Sequence, residues 1–199
     1  NKCYLRFLLQ NVEKPMDWGA VCGNANINMD IVSKLPPKGI DYLRLSMNAS
    51  ISMSTIMSLS ELPWNWYAVG MNPNLTMDIV HNYIDEAWNW NEVSGNPIIT
   101  LNFIVSHPTA RWNWDRVSMN EAIGMDDIEC NLNLPWEWGS VSKNPNLTLE
   151  MVDKHPECAW SWYEISRNSA ITAHCILSDP YRKWVFSAIS LNSKFTLTV

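Results

Sequence analysis

The stretch "NLPWEWGSVSKNPNLTLEMVDKHP", Asn133 to Pro156, sets two Trp residues one apart, then an Asn-Pro step, then a Thr and a Glu at short offsets. A motif present once is a candidate site, whereas one that returns at a constant interval is a building block. This one returns. Its second aromatic falls at Trp18, Tyr42, Trp66, Trp90, Trp114, Trp138, Trp162 and Phe186, always 24 residues apart. Two residues earlier stand Met16, Ile40, Trp64, Trp88, Trp112, Trp136, Trp160 and Trp184. Six residues after the second aromatic comes an Asn without exception: Asn24, Asn48, Asn72, Asn96, Asn120, Asn144, Asn168 and Asn192.

The rest of the unit keeps the same register. Three residues past the Asn is an apolar side chain (Ile27, Ile51, Leu75, Ile99, Ile123, Leu147, Ile171, Phe195). Thr usually follows, at Thr76, Thr100, Thr148, Thr172 and Thr196, with Asn28, Ser52 and Gly124 as variants. A further aliphatic comes at Val32, Ile56, Val80, Ile104, Ile128, Val152 and Ile176.

Such a unit predicts two helices. Pro108, Pro156 and Pro180 suit a first helical position, where a missing N–H costs nothing. From there the longer helix is expected to run through the W-x-W pair for about three turns. The Asn is expected to close it as a left-handed cap, with Pro73, Pro97 or Pro145 blocking continuation. Thr then caps a shorter helix, α or 3₁₀, whose start Asp78 or Glu150 favours. One unit is too small to bury its own apolar face, so neighbours must stack. The expected fold is all-α, a right-handed α-solenoid of about eight 24-residue repeats. Residues 1–199 are read as one tandem-repeat domain: a half repeat at 1–11, with Cys3, Leu5 and Leu8 in apolar slots, then eight units, the last truncated.

The step "V-x-x-N-P-x-[IL]-T" after an apolar helix resembles the leucine-rich repeat variant family, which implies the right-handed superhelix of alternating α and 3₁₀ helices. The W-x-W pair departs from that family. "PWNWYAVGMNPNLTMDIV" and "PWEWGSVSKNPNLTLEMV" are similar to the W-x-W tandem-repeat proteins of giant amoebal viruses and their virophages. That resemblance implies a viral protein in the host cytoplasm or virus factory, or associated with the virion, and carries no catalytic residue.

Composition narrows the function. The chain is 47% apolar and 17% charged, with net charge −6 and twelve Trp. Nucleic-acid surfaces carry a basic excess, so a helical-repeat nucleic-acid reader is the disfavoured alternative. No apolar run is long enough to span a bilayer. Five cysteines without a C-x-x-C read as free thiols.

Two Trp at i and i+2 of a helix face opposite sides. The second slot, with an aliphatic three residues on (Val69 after Trp66, Val141 after Trp138), is read as the core face. The first is read as packing on the neighbouring unit. Trp66, Trp90, Trp114, Trp138 and Trp162, with Asn72, Asn96, Asn120, Asn144 and Asn168, are therefore structural positions of the repeat. His107 and His155 are read as helix-entry residues, and Asp126, Asp127 and Glu129 as a solvated turn. Asn48, Asn74 and Asn146 match the glycosylation pattern only because the repeat itself demands Asn and Ser or Thr there. No nucleophile elbow, phosphate loop or zinc spacing is present. The expectation is a non-enzymatic scaffold for a protein partner, with no metal, cofactor, nucleic acid or membrane involved.

Overall fold

The computed structural model describes residues 2–11 and 13–194, with sixteen α-helices and no strand among them. They are α1 (Lys2–Gln10), α2 (Trp18–Cys22), α3 (Met29–Val32), α4 (Tyr42–Ser46), α5 (Met53–Ser58), α6 (Trp66–Val69), α7 (Met77–Asn82), α8 (Trp90–Gly95), α9 (Leu101–Ser106), α10 (Trp114–Ser118), α11 (Met125–Glu129), α12 (Trp138–Val141), α13 (Leu149–Lys154), α14 (Trp162–Arg167), α15 (Ala173–Ser178) and α16 (Phe186–Ile189). From α2 onward, even-numbered helices start at the second aromatic and odd-numbered ones just after the Thr slot, so both series keep the 24-residue interval. The slots at Phe195 and Thr196, and the side chain of Leu5, lie outside the described residues.

The expected longer helix is absent. The W-x-W pair does not lie within a helix; it starts one. Pro108 and Pro156 sit in turns that follow α9 and α13, and the next helices begin six residues later, at Trp114 and Trp162. The residue between the two aromatics is the N-cap. Asp17, Asp41, Asn65, Asn113 and Ser161 each accept a bond from the backbone N–H three residues on, at 2.9–3.3 Å. The odd-numbered helices start as expected where Asn28, Ser52, Thr100 and Thr148 cap them. Thr76 and Thr172 hold the same position without that bond. Gly124 has no side chain to cap with; the Asp127 carboxylate instead accepts the Gly124 N–H at 2.9 Å. The odd-numbered helices are α-helical; the 3₁₀ turn assigned among the described residues is Pro37–Gly39.

Helices of four to six residues are unstable alone, so packing must hold them. The chain divides into two compact units, Asn1–Val93 and Ser94–Val199. In the first, α2 packs on α4 and α4 on α6; in the second, α10 packs on α12 and α14 on α16. The core lies between the two helix series. In the first unit it includes Val69, Leu75, Ile79 and Val80, and in the second Val117, Ile123, Ile128, Val141, Leu147, Met151 and Val152. Leu8 is buried in the first unit, while Cys3, expected in an apolar slot, is exposed.

Candidate functional site

The Asn of the repeat is not a left-handed cap. No described residue has a positive φ, and Asn168 is extended at φ −67°, ψ 133°. Within each compact unit the side chain instead ties a turn to the one before it. Asn144 Nδ2 donates to the Ser118, Asn120 and Ile123 carbonyls at 3.1 Å each, while its Oδ1 accepts the Asn146 N–H at 2.8 Å. Asn72 reaches the Ser46, Asn48 and Ile51 carbonyls in the same way, at 3.0, 3.0 and 3.3 Å. Asn120 bonds the Ser94 and Asn96 carbonyls, and Asn168 those of Ser142 and Asn144. Asn96 Oδ1 accepts the Ile98 N–H at 3.1 Å. Only an amide offers two donors and an acceptor on so short a stem, which explains the invariance.

A second ladder runs beside it. Four residues after the second aromatic, the hydroxyls of Ser46, Ser94, Ser118, Ser142 and Ser166 accept the N–H of the next W-x-W middle residue at 2.9–3.0 Å. Cys22 holds this slot in the first unit, its sulfur 3.3 Å from the Asp41 nitrogen. Burial pushes the Cys22 thiol above its ordinary range, against the lowering effect of the Asp41 N–H. Gly70 fills the slot without a side chain.

The first Trp slot packs on the neighbouring unit as expected, but the second is not the buried core face expected of it. First-slot Trp64, Trp88, Trp136 and Trp184 are 5–7% exposed and first-slot Trp112 and Trp160 part-buried, while none of second-slot Trp66, Trp90, Trp114, Trp138 and Trp162 is more than part-buried. The cause is the late helix start, which leaves the first Trp in an extended segment that folds inward. Its indole N–H donates to the carbonyl five residues back, at the end of the preceding helix: Trp64 to Leu59, Trp136 to Asn131 and Trp160 to His155, each at 2.8 Å. Second-slot Trp66, Trp114, Trp138 and Trp162 then meet the next first-slot ring. Centroids lie 5.2 Å apart for Trp66–Trp88 and Trp114–Trp136, 4.9 Å for Trp138–Trp160 and 5.5 Å for Trp162–Trp184. Phe186, in the second slot, is 73% exposed.

Other candidate residues serve structure. His107 and His155 end α9 and α13 rather than start helices. His107 Nδ1 lies 2.8 Å from the Phe103 carbonyl, and its ring stacks on Phe103 at 4.3 Å. His155 Nδ1 lies 3.4 Å from Glu157, and its buried Nε2 is 4.0 Å from Glu129 with no hydrogen-bond partner. Asp126, Asp127 and Glu129 belong to helix α11, not to a turn, and Glu129 pairs with Lys154 at 3.2 Å. The glycosylation-pattern amides are occupied: Asn74 donates to the Ala49 carbonyl at 2.7 Å, Asn146 to Glu121 at 2.8 Å, and Asn48 to Cys22 at 2.8 Å. Among the described residues no three His, Cys, Asp or Glu stand where they could hold a metal, and no helix is long and apolar enough to cross a membrane.

What varies from turn to turn is the outer face of the even-numbered helices, and grooves open there in both units. In the second unit a 560 Å³ groove is bordered by Met119, Lys143, Glu164, Arg167 and Leu191. It shares Met119 with a 240 Å³ groove at Gly95 and Arg116, and Lys143 and Glu164 with another at Asp115 and Glu137. In the first unit a 500 Å³ groove lies between Asp17, Gly23, Asp41 and Arg44, and Leu43, Tyr67 and Met71 are exposed on the same helix series. No protein-family model, curated protein or solved structure matches this chain.

Proposed function

We propose that this chain is a non-enzymatic tandem-repeat scaffold, an α-solenoid that binds a protein partner along the outer face of its even-numbered helices. One contrast carries the reading. The slots that build the frame hold Asn, Ser and Trp at nearly every turn, while the outward slots change freely: Gly19, Leu43, Tyr67, Asn91, Asp115, Gly139, Tyr163 and Ser187 occupy one of them. A constant frame under variable, groove-forming side chains is how repeat proteins present an extended recognition surface. Exposed Tyr67 and Tyr163 add the aromatic anchors common at interfaces.

The resemblances drawn from the W-x-W and N-P steps extend this proposal to eight units with a right-handed coil, and to a viral protein acting in the host cytoplasm or virus factory. Affinity capture tests the binding reading. Wild type and a variant altered on an odd-numbered helix, Glu150→Ala, should retain the same partner, and Tyr67→Ala/Tyr163→Ala should lose it. Capture that ignores the tyrosine change would count against this face. The nucleic-acid alternative predicts salt-sensitive binding to DNA or RNA at low ionic strength; its absence there removes that alternative.

A further inference from the structure

We draw no further inference here: the strongest candidate, the apolar surface patch of Leu177, Tyr181, Phe186 and Leu191 on and beside α15 and α16 of the second unit, stands exposed with nothing in the structure to show what covers it.

Discussion

Trp136→Ala should destabilise the second unit far more than Trp138→Ala, although the two residues stand one apart in the same W-x-W. Trp136 is 7% exposed, donates its indole N–H to the Asn131 carbonyl at 2.8 Å, and sets its ring 5.2 Å from that of Trp114. Truncating a buried Trp typically costs about 3–5 kcal/mol. The Asn131 carbonyl loses the indole donor but keeps the Leu134 N–H at 3.0 Å, so the lost bond adds little beyond that range. Trp138 is part-buried and its main contact is the Trp160 ring at 4.9 Å, so its truncation should cost about 1–2 kcal/mol. Trp136→Phe separates the components: most of the packing stays, and the lost hydrogen bond should account for about 1 kcal/mol. Urea unfolding followed by circular dichroism reads all three, with the m-value checked because repeat arrays can unfold in stages. A larger effect at Trp138 than at Trp136 would refute the inward role of the first slot.

Gly70→Ser should restore the hydroxyl that the neighbouring turns possess and replace the Gly at the C-cap of α6, held at right-handed helical φ and ψ. A new Cβ would meet Val93 at 3.3 Å, a contact a methyl can yield to, so thermal unfolding should show a net gain of about 1 kcal/mol. Acid titration of stability should reveal Asp153: two bonds from Arg182, at 2.7 and 2.8 Å, hold its carboxyl below the ordinary range, with burial opposing. A lowered folded value means its contribution is complete above the unfolded value of about 3.9 and is lost as pH falls through the folded value. Because Asp153 is 55% exposed, Asp153→Asn should remove less than about 1 kcal/mol at neutral pH and flatten the stability profile only below about pH 4. A thiol reagent should label Cys130 in the folded chain and reach Cys22, buried and with its thiol pushed up, only on unfolding; early labelling of Cys22 would contradict its place in the serine ladder.

The repeat was legible in the sequence, because register-locked side chains report a stacked frame whatever their local geometry. The all-helical class and the caps at Asn28, Ser52, Thr100 and Thr148 followed from it. Helix boundaries did not, because two aromatics one apart do not say whether a helix contains them or begins at the second. The signal that decides lies between them: Asp17, Asp41, Asn65, Asn89, Asn113 and Ser161 are all N-cap types. Asn144 misled because Asn is also a common left-handed cap. Its following Pro145 argued otherwise, since a residue before proline is pushed toward extended backbone. The serine ladder was equally periodic but passed unread, because a Ser in a helix is unremarkable until the N–H it serves is located in space. The groove face was not readable at all: its positions are the ones that do not repeat.

Asn144→Gly puts the central claim most directly at risk. Were this Asn a left-handed cap, Gly would replace it with a change of only a few tenths of a kcal/mol. In the ladder, Gly removes the two N–H donors that the Ser118, Asn120 and Ile123 carbonyls share and the support of the Asn146 N–H, all at a fully buried position. Equilibrium urea unfolding should then show a loss of about 3 kcal/mol or more. A loss below about 0.5 kcal/mol would contradict the claim that asparagine side chains hold successive turns together.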